Sequence, residues 1–338
     1  MTEIQIADAR RLRSMVDAYQ TSQVIATFAM LGVADELASA EHSPATIADK
    51  LGVDPGALTR LLRAAAKLDL VRNEGENRYV LTPFGHLLCQ NDPNSVRAWA
   101  MHAGQPYMRE AWAHLLQSVQ TGAAAFPQVH GTDVWDYRAR HPEAGRIFDE
   151  AMANSRDVAV AIADAYDFPE AGTVVDIGGG CGTLLATILA RRPALHGILL
   201  ERQEVSERAR TTLLDAGLGD RCVVAAGDFF TSAPDRGDIY VLKGVLHDWD
   251  DLHAEQILRS CRGAMSPKSR LLVIERVAGS RFDLAACMMD LHMLVVHGGL
   301  ERTEVDFERL LESASFSIIQ LAPTESGLTI IEARPNGP

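Results

Sequence analysis

The sequence predicts an α/β fold, with a parallel sheet wrapped by helices on both faces behind a mainly helical N-terminal domain. Two observations carry this expectation. From residue 172 onward, short runs rich in Val, Ile and Leu alternate with segments that are apolar at helical spacing, the pattern of strand–helix–strand units. Before that, the first hundred residues read mostly as helices. Length agrees, since 338 residues with 47% hydrophobic content suit two domains with substantial cores. The division expected is 1–100 for the helical domain and 101–338 for a helical connector followed by the sheet domain.

Residues 12–38 are apolar at helical spacing, with an interruption at Gly32. Ser43 and Pro44 then open a helix that Gly52 ends, and Asp54 with Pro55 opens a second. A short hairpin follows, turning at Gly75 to Asn77, and the whole resembles a winged helix. A helical stretch from about 95 to 165 leads to the sheet. Its candidate strands are TVVDI, HGILLE, RCVVAAGD, DIYVLKG and RLLVIE, with helical segments such as VSERARTTLLDAG and DLHAEQILRSCRGAM between them. The tail segments FSIIQLAP and LTIIEARP read as a closing antiparallel pair.

Composition narrows the function classes. A net charge of −13 repels nucleic acid and anionic membrane. No apolar run approaches the roughly 18–20 residues that span a bilayer, and MTEIQIADARRLRSM lacks the apolar core of a secretory signal. Cys89, Cys181, Cys222, Cys261 and Cys287 are odd in number and scattered without a CxxC pair, which points to reduced thiols in a cytoplasm.

Ligands of open parallel sheets bind beyond the carboxyl ends of the strands. Here those ends carry, in order, Gly178, Glu201, Asp228, His247 and Glu275. A glycine turn, three carboxylates and a histidine in one row are not expected of an arbitrary core. The turn, VVDIGGGCGTLL over residues 174–185, fails the dinucleotide fingerprint because Thr183 stands where the third glycine belongs. No phosphate-loop lysine follows. What remains is Asp176, Gly178, Gly180 and Gly182, a turn whose backbone a small zwitterion can approach closely, as the amino-acid part of S-adenosylmethionine does. Glu201, about twenty residues on, is spaced to accept ribose hydroxyls. The bland alternative, a merely tight strand-to-helix turn, leaves Glu201 and Asp228 unexplained.

Five segments in order resemble the successive motifs of the caffeic-acid-type O-methyltransferases, including bacterial enzymes that tailor natural products. They are VVDIGGGCGTLL, GDFF (227–230), LKGVLHDWDD (242–251), LLVIER (271–276) and GGLERTEVDF (298–307). The resemblance covers nearly the whole chain and implies a Rossmann-like methyltransferase sheet, S-adenosylmethionine as cofactor, a homodimer formed through the winged-helix domain, and a small aromatic acceptor. It places Gly178 beside the methionine part of the donor, Glu201 on the ribose, Asp228 on the adenine amino group and Phe229 against the ring. Lys243 and Asn154 become donor contacts. His247 becomes the general base, flanked by Glu275 and Glu301. Met152 lines the acceptor pocket.

The chemistry suits these residue types. A phenol with a pKa of about 10 gains from a base near neutrality, typically about 10²–10⁴-fold, and histidine is the obvious side chain. A carboxylate on its far nitrogen fixes the tautomer. MMDLHMLVV (288–296) can wall a dry pocket, with His292, Met293 and His297 as acceptor contacts. Asp248, Asp250 and Asp251 read as a charge cluster at a helix N-terminus. His247 and His253, or His292 and His297, lack the spacing of a zinc helix, so no metal is expected. Two rival readings remain: a DNA-binding regulator using Arg60, Arg63 and Lys67, and an enzyme that keeps fold and donor but hydroxylates, decarboxylates or rearranges its substrate.

Overall fold

The computed structural model describes residues 3–39, 43–75, 78–153, 156–279 and 282–337. None of its helices is long and apolar enough to cross a membrane. The chain forms two compact units, one of residues 1–109 with 143–154 and one of residues 110–142 with 155–338. Residues 101–109 and 143–154, which the sequence assigns to the second domain, thus cluster with the first. A helix that returns to an earlier core carries no local mark of doing so.

In the first unit, helices span Glu3–Val16, Ala18–Leu31 and Val33–Ser39, the last two separated at Gly32, whose φ is +71°. Ser43 accepts from the Thr46 N–H at 3.2 Å and Asp54 from the Ala57 N–H at 2.7 Å, opening Pro44–Leu51 and Pro55–Lys67 as expected. Leu58, Leu62 and Ala65 of the second of these helices enter a core with Phe28, Val33, Ile47 and Tyr79, while Arg60, Arg63 and Lys67 are exposed. Strands β1 (Val71–Asn73) and β2 (Tyr79–Leu81) form the hairpin; Glu76 and Asn77 of its expected turn lie outside the described residues. Thr82 closes it, accepting from the Gly85 N–H at 2.9 Å and donating to the Leu70 carbonyl at 3.2 Å.

The helical stretch expected from 95 to 165 is broken into Arg97–Ala103, Pro106–Trp112, Leu115–Thr121, Ala125–His130, Val134–Arg140, Pro142–Ala153 and Arg156–Ala165. Gly122 and Gly131 adopt left-handed backbone (φ +72° and +71°), and Pro106 and Pro142 restart helices, so the apolar periodicity persists while the axis turns.

The sheet of the second unit contains β3 (Ala171–Ile177), β4 (Ala194–Glu201), β5 (Cys222–Ala226), β6 (Ile239–Lys243), β7 (Arg270–Glu275), β8 (Phe316–Pro323) and β9 (Thr329–Pro335). Their order is β5-β4-β3-β6-β7-β9-β8. The first five strands run parallel, and β9 pairs antiparallel with both β7 and β8. Strand order reverses at β3, the kind of position beyond whose carboxyl ends open α/β sheets bind ligands. Alternate side chains feed two cores. Val175, Tyr240, Leu271 and Val273 pack with the helices Asp251–Ala264 and Glu304–Ser313; Val174, Val241, Leu272 and Ile274 pack with Arg156–Ala165, Thr183–Arg191 and Gln203–Asp215. These central strands are buried on both faces, which is why they read as unbroken apolar runs.

A Cβ on Gly85 would overlap the Leu70 carbonyl oxygen, a backbone atom that cannot swing aside. Gly85→Ala is therefore expected to destabilise the first unit by about 2–3 kcal/mol, seen as a lowered melting temperature of its transition in calorimetry.

Candidate active site

The site is built from the strand ends outward. β3 ends at Ile177 and the chain turns through Gly178–Gly182 into the helix Thr183–Arg191. Gly178 has φ +67°, and a Cβ there would lie 3.1 Å from Val245 Cγ2 and 3.5 Å from Phe229 Cε1. The turn is therefore threaded between the chain ends after β5 and β6. Backbone bonds tie the turn and the chain after β5 to the end of β4: the Gly178 N–H donates to Leu200 O at 2.8 Å, and the Gly227 N–H to Glu201 O at 2.9 Å. Glu201, last residue of β4, accepts the Gly180 N–H on Oε2 at 2.9 Å and the Arg202 N–H on Oε1 at 2.8 Å. It thus shapes the turn as well as offering a carboxylate beside it.

Asp176 lies beneath the turn, 3% exposed. Its Oδ2, buried without a hydrogen-bond partner among the described residues, would stand 2.6 Å from a Cβ on Gly179. Burial pushes its pKa up to about 7, the nearby Lys243 opposing and Glu201 adding to the rise. Burial likewise pulls Lys243 down, against Asp176 and Glu275, which favour its charge. Beyond β5, Asp228 is exposed, with Oδ1 accepting from the Phe230 N–H at 2.9 Å. Phe229 packs edge-on to Phe230, ring centroids 5.0 Å apart.

His247 follows β6 in a short 3₁₀ turn, Leu246–Asp248, its side chain 21% exposed. Nδ1 faces Glu301 Oε1 at 3.0 Å and Glu275 Oε2 at 3.8 Å, while Nε2 lies 3.7 Å from Asp248 Oδ1. Glu275 is anchored on its own account, Oε1 accepting the Val245 and Leu246 N–H groups at 3.0 and 2.9 Å. Burial alone would lower the imidazole pKa, but Glu275, Asp248 and Glu301 outweigh it and hold it up at about 10. Burial in turn raises Asp248 to about 7, with His247 opposing, and moves Glu275 upward.

The three neighbouring aspartates separate in function. Asp250 caps the helix Asp251–Ala264, accepting from the His253 N–H at 2.9 Å. Asp251 pairs with Arg302 at 2.8 Å. Asp248, expected in the same charge cluster, is instead buried beside His247 and 3.3 Å from His297 Nδ1, because the 3₁₀ turn rolls it inward before the helix begins. Sequence reasoning also missed Arg302, a fully buried arginine that donates to Leu246 O at 2.7 Å and Trp249 O at 2.8 Å. Its position next to Glu301 in GGLERTEVDF was the available signal.

Of the acceptor-side candidates, His292 is half-buried and accepts on Nδ1 from Trp112 Nε1 at 3.0 Å. His297 stands with its ring centroid 5.9 Å from that of His292 and 5.2 Å from Trp135. Trp112, Trp135 and the buried Arg138, 5.2 Å over the Trp135 ring, had no sequence signal, since they come from the irregular connector. Met293 is 3% exposed and opens a π-helical turn, Met293–His297. Met152 is exposed and clusters with the first unit; Asn154 lies outside the described residues. Among the described residues, no group of three or more His, Cys, Asp or Glu side chains could hold a metal ion.

The site fits an adenosyl sulfonium. A buried carboxylate oxygen without a partner among the described residues lies under a side-chain-free turn, two further carboxylates lie at the ends of the next strands, and an aromatic ring flanks the turn. A doubly covered parallel sheet with an antiparallel closing pair and this row of strand-end groups defines an S-adenosylmethionine-dependent methyltransferase. An O-methyltransferase domain matches residues 112–317 and an O-methyltransferase dimerisation domain matches residues 14–91. The chain belongs to this O-methyltransferase family. It is 41% identical over 341 residues to a phenazine O-methyltransferase, PhzM, of Lysobacter antibioticus, covering 99% of this chain and 100% of that one. The solved structure of the mitomycin 7-O-methyltransferase MmcR superposes with a TM-score of 0.94 at 36% identity, covering 99% and 100% of the two chains. The O-methyltransferase NcsB1 from neocarzinostatin biosynthesis, solved with S-adenosylmethionine and 2-hydroxy-5-methyl naphthoic acid, gives 0.82 at 34% identity over 93% and 96%. Relatives also include the aclacinomycin 10-hydroxylase RdmB of Streptomyces purpurascens, 35% identical over 88% of this chain and 82% of that one.

Glu275→Gln keeps the acceptor oxygen for Val245 and Leu246 but removes the leading negative charge on His247. The His247 pKa is expected to fall from about 10 towards 6.5 in an NMR titration. A histidine raised in the folded state contributes stability that is complete below its unfolded value and lost as pH rises through the folded one. The variant should therefore lose the wild type's extra stability at pH 6 and differ least above pH 10.

Proposed function

We propose that this chain methylates a hydroxyl group of a small aromatic acceptor, using His247 as general base. The observation that carries this reading is the fixed orientation of His247. Its Nδ1 is engaged by Glu301 at 3.0 Å, with Glu275 behind, so Nε2 is the nitrogen left to meet a substrate. Asp176, Gly178, Glu201, Asp228 and Phe229 would hold S-adenosylmethionine at the adjoining strand ends, with Lys243 and Asn154 assigned to the same ligand by resemblance. When bound, S-adenosylmethionine supplies an electrophilic methyl group and a positive charge, and that charge draws the imidazole pKa down from its high ligand-free value.

His247 then takes the acceptor's proton at Nε2, Glu301 keeps the tautomer and steadies the imidazolium, and Asp248 lies within 3.7 Å to share the charge. His292, Met293 and His297 are assigned to the acceptor, and the aromatic and imidazole rings of Trp112, Trp135, His292 and His297 suit a flat apolar ligand. The match to a dimerisation domain supports a homodimer. The hydroxylase among the relatives supports a second reading, non-methylating chemistry in the same site. Mass spectrometry of products from a phenolic and polyketide panel separates the two, since methylation adds one methyl group and hydroxylation one oxygen.

His247→Ala should lower kcat by about 10²–10⁴-fold while leaving S-adenosylhomocysteine affinity in calorimetry nearly intact; unchanged turnover would remove His247 as the base. Glu201→Ala should weaken S-adenosylhomocysteine at least about tenfold, because it loses both a carboxylate and the brace on Gly180. With donor saturating, the rate should rise with pH through a midpoint well below the pKa of about 10 held by ligand-free His247.

A further inference from the structure

One half-buried imidazole near the base has its protons fixed by the fold. An indole N–H can only donate, so the bond from Trp112 Nε1 to His292 Nδ1 at 3.0 Å makes Nδ1 the lone-pair nitrogen. The single proton of neutral His292 therefore resides on Nε2. The two rings also stack, 6.0 Å between centroids with 30° between planes, which holds the imidazole against rotation. Burial, then the charges of Arg138 and His247, push its pKa down to about 4, so it stays neutral across the working pH range. From His247 a polar row leads to it: Asp248 Oδ1 lies 3.7 Å from His247 Nε2 and 3.3 Å from His297 Nδ1, and the His297 ring is 5.9 Å from that of His292.

The geometry points to His292 as a specificity-determining hydrogen-bond donor, whose Nε2–H selects aromatic acceptors carrying a hydrogen-bond-accepting oxygen or ring nitrogen at a position removed from the methylated hydroxyl. This rests on the reading of the site as an aromatic hydroxyl methyltransferase. The physical basis is asymmetric. A pinned donor cannot turn into an acceptor, and an apolar group placed against it leaves the N–H without a partner. Sites built to hydrogen-bond one substrate group reject analogues that lack it much more strongly than apolar pockets reject a change in size. A freely rotating or titrating histidine would accommodate either kind of partner; the Trp112 bond removes that freedom.

The probes are methoxy-1-naphthols, one for each ring position, each paired with its ethyl-1-naphthol twin, which matches it in shape and lacks the acceptor oxygen. Dissociation constants are measured by calorimetry with S-adenosylhomocysteine present, and kcat/KM with S-adenosylmethionine. The wild type should favour the methoxy member of at least one pair by about tenfold to a hundredfold. His292→Phe should bring that ratio close to one. His292→Asn, which retains a side-chain N–H, should restore part of it, and Trp112→Phe should reduce it by releasing the tautomer. Nitrogen-15 spectra of the ligand-free wild type should show the Nε2–H form of His292. An Nδ1–H form, the absence of a favoured methoxy isomer, or a preference that survives in His292→Phe would each overturn the assignment. Preferential binding without any methyl transfer would leave this assignment standing and count against methylation.

Discussion

Residues 298–302, laid across residues 246–251, hold the turn that carries His247. The Leu300 N–H donates to His247 O at 3.0 Å, and Glu301 takes the imidazole. Arg302, fully buried, spreads its guanidinium over Leu246 O, Trp249 O and Asp251. A Cβ on Gly299 would overlap the His247 carbonyl oxygen, so the two segments meet as bare backbone. A planar fork with five donors satisfies carbonyls that a single ammonium could not. Leaving a buried carbonyl without such a donor typically costs about 1–3 kcal/mol. The orientation of His247 thus depends on an arginine that touches neither the imidazole nor the glycine turn.

The same crevice gathers like charges. Asp176, Glu201, Glu275, Glu301 and Asp248 stand near one end of the sheet, relieved by Lys243 and by the proton on His247. Burial above all, then neighbouring carboxylates, raises the pKa of Asp176, Asp248 and Glu275, and a field of that sign is prepared for a cation. In the ligand-free chain His247 carries that positive charge. A second cation placed at the glycine turn would lower the proton affinity of His247.

Legibility in the sequence varied with the range of the interaction responsible. Ser43, Asp54, Gly32 and Gly52 announced helix ends because caps and left-handed turns act within a few residues. The strands of the parallel sheet were legible because burial on both faces demands unbroken apolar runs. Gly178, Glu201, Asp228, His247 and Glu275 fell into one row because each follows the carboxyl end of a parallel strand. The connector was less legible: its periodicity suggested one long helical stretch, whereas left-handed glycines and helix-starting prolines break it into short segments.

By itself, the sequence determined the α/β class, the glycine turn and the groups at the strand ends, since periodicity, capping and turn chemistry are local. Only the tertiary structure decided that Asp248 turns inward while Asp250 caps a helix, that Arg302 bolts the loop carrying His247, and that Trp112 pins the protons of His292. Those outcomes join positions up to 180 residues apart, and side-chain geometry between distant segments exists only once both cores have closed.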